Sequence, residues 1–199
     1  MCIRDRSCID VGSSTGGFTD AMLQRSARHV VAVDVGRAQL HDRLRRDERV
    51  TVAEQTDIRA VEPGRFEHDP FELVVIDVSF IGLDAILDAV VALMAPDAQI
   101  VSLVKPQFEA RRAEADKGKG IIRNPDVWSQ VLHNVVADMQ RRGLSIAGIG
   151  VSPIRGGSQR GKGNVEFFLH ATRSEAATVE LDNIDAAIDA AVEAAGQLG

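Results

Sequence analysis

Three ionisable residues stand where an ionisable side chain is costly. Asp77 closes the apolar run F-E-L-V-V-I-D, Lys105 follows the apolar run Q-I-V-S-L-V, and Glu166 lies within G-N-V-E-F. An ammonium at the end of an apolar strand must find an anion or water. A carboxylate beside it holds it in place and fixes the local charge. That pairing suits attack by a hydroxyl, which is a weak acid and a poor nucleophile. A nearby lysine can stabilise the developing alkoxide or, with a lowered pKa, accept its proton.

A second group of residues has the makings of a cofactor cradle. Asp10-Val11-Gly12-Ser13-Ser14-Thr15-Gly16-Gly17-Phe18 follows a short apolar run and leads into a helix-like segment. A strand that stops at small residues and turns at once into a helix presents backbone N–H groups with no Cβ blocking a close ligand. The glycines match neither G-x-G-x-x-G nor G-x-x-x-x-G-K-[ST], which argues against a nicotinamide or a nucleoside triphosphate. The acid-then-glycine opening instead resembles the first motif of Rossmann-like methyltransferases that bind S-adenosylmethionine. Asp34 comes near the end of the next apolar run, V-V-A-V-D-V, about twenty residues beyond the turn, where a carboxylate can accept both hydroxyls of a ribose. Asp57 is placed like the residue that contacts adenine in many methyltransferases.

The elements that must position these residues follow from hydrophobic periodicity. Strands are expected at 8–11, 30–35, 50–53, 71–77, 99–104, 144–151 and 165–171, several of them apolar on both faces as central parallel strands are. Helices are expected at 18–27, 39–46, 83–94 and 126–142, and an Ala-rich, acidic one at 175–198. Trp128 falls on the apolar face of the fourth and reads as core. The expected fold is a Rossmann-like class I α/β domain spanning 8–199, with a mostly parallel seven-stranded sheet, helices on both faces and an antiparallel last strand. Right-handed crossovers then set the carboxyl ends of strands one, four and five side by side, with Asp77 and Lys105 facing a cofactor held by the glycine-rich turn. Residues 1–7 (M-C-I-R-D-R-S) show neither period and are expected to be a non-native or fragment-boundary leader outside the fold.

The 199 residues carry a formal charge of −6, but the charge is unevenly spread. Beyond Arg173 there are acids and no Lys or Arg, and the rest of the chain is balanced. Two basic loops stand out within it: one holds Arg111, Arg112, Lys117, Lys119 and Arg123, and the other holds Arg155, Arg160 and Lys162 among four glycines. Such loops suit a phosphate backbone. No apolar run reaches eighteen residues and no signal-peptide layout is present, so a cytoplasmic protein is expected. The two cysteines, Cys2 and Cys8, do not form a disulfide framework, and the five histidines form no zinc pattern, so no metal is expected.

Taken together, D-V-G-S-S-T-G-G-F-T-D, A-V-D-V-G, V-V-I-D-V-S-F-I, L-V-K-P-Q-F-E, K-G-K-G-I-I-R, S-P-I and G-N-V-E-F resemble, in order, the TlyA (hemolysin A) family of ribosomal RNA 2′-O-methyltransferases, which share an FtsJ-like catalytic domain. The resemblance implies methylation of ribose, of cytidine, in ribosomal RNA or ribosomal subunits. It implies a Lys-Asp-Lys-Glu tetrad whose last three members match Asp77, Lys105 and Glu166. It also places Asp10, Gly12, Ser13, Thr15, Gly16, Gly17, Phe18, Asp34, Asp57 and Asp77 around S-adenosylmethionine. The family carries a small RNA-binding module and a first tetrad lysine ahead of the first strand. No lysine precedes Lys105 here, so the sequence reads as N-terminally truncated, with cofactor binding retained and transfer weak or absent. Two other readings stay open: a methyltransferase of small-molecule hydroxyls, and a membrane-active hemolysin without enzymatic activity. The oligomeric state is open as well.

Overall fold

The computed structural model describes residues 2–110, 120–156, 163–173 and 183–198. The chain forms two compact units, Met1–Val78 with Ile86–Val101, and Ser79–Ala85 with Ser102–Gly199.

In the first unit, β1 (Ser7–Val11), β2 (His29–Val33), β3 (Val50–Ala53) and β4 (Phe71–Ile76) are short and rich in β-branched residues. β1 and β2 are buried along their whole length. β1 pairs in parallel with both β2 and β4, and β2 with β3. Parallel strands need a crossover, and α1 (Gly17–Gln24) supplies the first. Met22 and Leu23 on its inner face pack on Cys8, Val30, Ala32, Leu73 and Val75. The helix stops at Gln24, short of the expected Ala27, because Ser26 takes left-handed backbone (φ 63°) and the Ala27 amide turns back to the Met22 carbonyl. α2 is likewise only Asp42–Arg45, since the residues ahead of it are held as a loop by Glu54. α3 (Asp84–Ala92) leads into β5 (Met94–Val104), five residues longer at its start than the expected 99–104. The Phe71 amide already bonds the Leu93 carbonyl, so the chain is captured by β4 before Pro96 is reached.

Residues 1–7, expected outside the fold, are bound into this unit from Ile3 onward. Ile3 packs on its core, the Ser7 amide donates to Glu72 Oε2 at 2.9 Å, and the Ser7 hydroxyl donates to the His68 carbonyl at 2.6 Å.

The second unit holds α4 (Pro106–Glu109), α5 (Pro125–Arg141), β6 (Ser145–Val151), β7 (Phe167–Thr172) and α6 (Ile184–Gly196). Asn124 caps α5 by accepting the Asp126 amide, and Pro125 sits where its missing N–H is harmless. Trp128, as expected, is core: its indole N–H donates to the Ile122 carbonyl and its ring meets Phe167 edge-on at 6.3 Å. β6 and β7 are antiparallel, and α6 packs on β6 and α5. The expected beginning of α6, at 175–182, lies outside the described residues. Strand neighbours run β3-β2-β1-β4-β5-β7-β6, a mixed seven-stranded sheet of the expected kind.

Candidate functional site

The glycine-rich turn joins the end of β1 to α1, and backbone geometry dictates its composition. Gly12 has φ 84°, and a Cβ there would run into the Asp77 carbonyl, with the Asp77 carbonyl carbon 2.9 Å away and the Val78 nitrogen at 3.2 Å. Gly16 has φ 98° at the N-cap of α1, and a Cβ there would collide with Leu40 and Leu44. Both positions therefore require glycine. The Gly12 contact also brings the turn against the end of β4, at Asp77.

The turn's amides are largely committed inside the protein, contrary to the picture of a row of open N–H groups. Gly12 and Ser13 donate to the Val33 carbonyl at 2.9 and 3.0 Å, Ser14 to Asp34 Oδ2 at 2.8 Å, and Gly16 to the Ser13 carbonyl at 2.8 Å. Asp34 Oδ1 accepts the Gly36 amide at 2.7 Å, so this one carboxylate braces the turn after β1 and the turn after β2. Each of its oxygens keeps a further acceptor position, which two vicinal hydroxyls could use.

Asp10 is fully buried and its Oδ2 accepts the Thr19 hydroxyl at 2.6 Å. Burial pushes its carboxyl up to about 6 against the hydrogen bonds from Thr19, and the charges of Asp77 and Asp34 add to the rise. Asp10 Oδ1 and Ser13 Oγ are both buried without a hydrogen-bond partner among the described residues. Val35, next to Asp34, is an apolar side chain left 74% exposed. A cradle that excludes Cβ atoms, a carboxylate with spare acceptor positions, unfilled polar atoms and an apolar shelf fit an adenosyl cofactor. Asp57 caps the 3-10 turn Ile58–Ala60, and its two oxygens accept from Arg59 at 2.6–3.1 Å.

In the second unit, Lys105 is the N-cap of α4 and 8% exposed, and its Nζ donates to Ser79 Oγ at 3.1 Å. Glu166 precedes β7, its carbonyl accepting the Ser152 amide at 2.8 Å. Gly156 leaves space for the Glu166 side chain, since a Cβ there would collide with its carboxyl. Asn164 connects two of the motifs: Oδ1 accepts the Ile122 amide and Nδ2 donates to the Gly120 carbonyl, each at 2.8 Å.

Of the residues expected to meet RNA, Arg123 and Arg155 line one cavity of about 330 Å³ with Pro125, Trp128 and Gly163. Arg123 is exposed, whereas Arg155 turns its guanidinium to the Leu198 carbonyl. Arg111, Arg112, Lys117, Lys119, Arg160 and Lys162 lie outside the described residues. Among the described residues, no three His, Cys, Asp or Glu side chains gather as a metal site needs.

Sequence reasoning passed over Val35 and Phe80. Phe80 is 91% exposed with φ 66°, rare for a bulky side chain, and its ring meets that of Phe108 at 5.1 Å. The signal was present in V-V-I-D-V-S-F-I, as an aromatic three residues past the strand-end acid, but its exposure is a tertiary fact.

Residues 1–173 match the family of FtsJ-like methyltransferases. The chain belongs to that family. It is 46% identical over 170 residues to a Bacillus subtilis (strain 168) protein, YqxC, whose name carries an rRNA methyltransferase assignment; the match covers 85% of this chain and 59% of that protein. It is 42% identical over 173 residues to the 16S/23S rRNA (cytidine-2′-O)-methyltransferase TlyA of Mycobacterium tuberculosis (strain ATCC 25618 / H37Rv), covering 85% of this chain and 61% of TlyA. A solved Streptococcus thermophilus structure bearing a hemolysin name superposes with a TM-score of 0.90 at 40% identity, covering 100% of this chain and 69% of that one. The chain thus spans about three fifths of the length of these two curated relatives. In this FtsJ-like chain the glycine-rich turn follows β1 and Lys105 follows β5 as expected, whereas Asp77 stands just past β4 and Glu166 just ahead of β7, each one residue outside the strand expected to hold it.

Proposed function

We propose that this chain is the catalytic part of an S-adenosylmethionine-dependent 2′-O-methyltransferase acting on ribose, of cytidine, in ribosomal RNA. The observation that carries the reading is the meeting of Gly12 with Asp77, which brings a cofactor turn to the strand end bearing the first acid of the proposed pair. The bound cofactor supplies an electrophilic sulfonium methyl group. Asp34 accepts the cofactor's ribose hydroxyls, Val35 lies under its flat base, and Asp57 takes the base's amino group while sharing its charge with Arg59. Asp10, Ser13, Thr15, Gly16, Gly17 and Phe18 complete the cradle.

In this reading Asp77 supplies the carboxylate and Lys105 the ammonium that serve the substrate 2′-hydroxyl. Lys105 lowers the cost of the alkoxide by charge and hydrogen bonding, Glu166 holds the same hydroxyl, and the hydroxyl's proton passes to water. Displacement at a methyl group needs mainly alignment, so these residues act by orientation. Phe80 offers a face on which the target base can stack, a contact worth about 1–3 kcal/mol per base. Arg123 and Arg155, with the basic residues at 111–119 and 160–162, take phosphates and set register. Ribosomal RNA as substrate gives the cytoplasm as the site of action.

The test separates these levels. Calorimetry with S-adenosylmethionine should show binding that Asp34→Ala weakens by about tenfold or more, the loss of two charge-assisted hydrogen bonds. Radiolabelled transfer to unmodified ribosomal subunits, rather than to small-molecule hydroxyls, should then depend on Lys105.

A further inference from the structure

Ser79–Ala85 belongs to the second unit although it begins only three residues past the end of β4. Its attachment to α4 is made at three points that run in the same order along both segments. Lys105 Nζ donates to Ser79 Oγ at 3.1 Å, the Phe80 ring lies on Phe108 at 5.1 Å, and the Leu83 amide donates to Glu109 Oε1 at 2.9 Å. The Phe108 and Glu109 amides both bond the Lys105 carbonyl, at 2.9 and 3.2 Å, so the first and last contacts are set by one rigid turn. Gly82 is part of the fit, because a Cβ there would stand 3.2 Å from Glu109 Oε2. Phe80 between these anchors has left-handed backbone, which a bulky residue keeps only where its surroundings hold it.

We infer that Glu109 is a positioning residue: by gripping the Leu83 amide it keeps Ser79 on the Lys105 ammonium and Phe80 against Phe108, the two rings tilted by 49°. This rests on the reading of Lys105 given above, and nothing in the motif L-V-K-P-Q-F-E announces it. The carboxyl is out of water: burial pushes it up to about 7, with Asp138 and Asp84 raising it and the Leu83 amide lowering it. Those two acids are themselves paired, Asp138 with Arg141 and Asp84 with Arg142, whose Nη2 stands 3.0 Å from Asp84 Oδ1. The interaction that Glu109 makes with Leu83 survives in either protonation state, since a carboxyl oxygen accepts in both.

The experiment compares Glu109→Ala and Glu109→Gln with the parent chain by hydrogen exchange, acetylation rate at Lys105, cofactor affinity and kcat for methyl transfer. With Glu109→Ala, amides at 80–83 should exchange about tenfold faster, the weight of one buried hydrogen bond left unmade. Lys105 should acetylate faster, kcat should fall by a similar factor, and cofactor affinity and exchange in β6 and β7 should stay at the parent's values. Glu109→Gln, which keeps an acceptor for the Leu83 amide, should restore all of these toward the parent. Gly82→Ala, which displaces the carboxyl from outside, should give the same pattern more weakly and serves if Glu109→Ala does not fold. Unchanged exchange and acetylation in Glu109→Ala, a kcat that ignores the faster exchange, or a Gln variant no better than Ala would overturn the inference. A parent chain with no Lys105-dependent transfer would instead sink the reading of function, leaving exchange and acetylation to decide Glu109.

Discussion

The two strand-end regions to which we assign the chemistry are built in opposite ways. The turn after β1 is fixed by backbone: left-handed glycines, amides spent on Val33, and a carboxylate, Asp34, that bonds main chain on both sides. The region around Lys105 is tied through side chains to a loop more than twenty residues away: Lys105 to the Ser79 hydroxyl, Phe108 to the Phe80 ring, and the Glu109 carboxyl to the Leu83 amide. A backbone-built site tolerates almost no change of residue type and little change of shape. A site built from side chains can be loosened one contact at a time.

The sharpest way to break this contrast is at Gly12. Gly12→Val places a side chain against the Asp77 carbonyl and forces a β-branched residue to positive φ, so it should cost about 3 kcal/mol or more and abolish cofactor binding. Thermal melting and calorimetry would show both. A variant that binds normally would mean the turn is not the rigid half.

The next effect is on pH dependence. Asp10 and Glu109, one in each region, have carboxyls raised to about 6 and about 7. An acid whose folded pKa is raised holds its proton longer in the native state than in the unfolded chain, so its stability contribution is complete at low pH and is lost as pH climbs. Stability should therefore decline between about pH 4 and 7, by up to about 3 kcal/mol for each residue. Asp10→Asn and Glu109→Gln should each flatten part of that decline in denaturant titrations across this range.

Smaller again is Glu54, whose carboxylate accepts the amides of Ala38, Gln39 and Leu40 and pairs with Arg45. These contacts hold it down to about 2, led by the Leu40 amide. Glu54→Ala should loosen the loop that seats Leu40 under Gly16 and weaken cofactor affinity about threefold to tenfold, with kcat untouched. The smallest effect is expected at Phe108. Phe108→Leu removes a ring contact on an exposed partner and should cost about 0.5 kcal/mol in melting, with a larger relative loss in RNA affinity if Phe80 is a stacking face.

The same contrast explains what the sequence disclosed. The turn, the strand-end place of Asp34 and the adjacency of β1, β4 and β5 were legible because local composition and crossover handedness dictate them: glycine where φ is positive, apolar runs where strands are buried. Helix ends were less so, since α2 is shortened by Glu54, fourteen residues from Leu40, and β5 is lengthened by pairing that begins at Leu93. The roles we propose for Glu109 and Phe80 were invisible, because they rest on contacts 26 and 28 positions away in the chain, which follow no period. Glu166 could be singled out by its motif, but the need for Gly156 beside it is a matter of packing.

The central claim is that Lys105 serves a ribose hydroxyl. It is tested most directly by incubating the chain with S-adenosylmethionine and unmodified ribosomal RNA, then locating the new methyl group by nucleoside mass spectrometry, for the parent and for Lys105→Ala. The account predicts a methyl on a 2′-oxygen and a loss of about 100-fold or more in the variant. A methyl on a base, or equal transfer by both proteins, would contradict it.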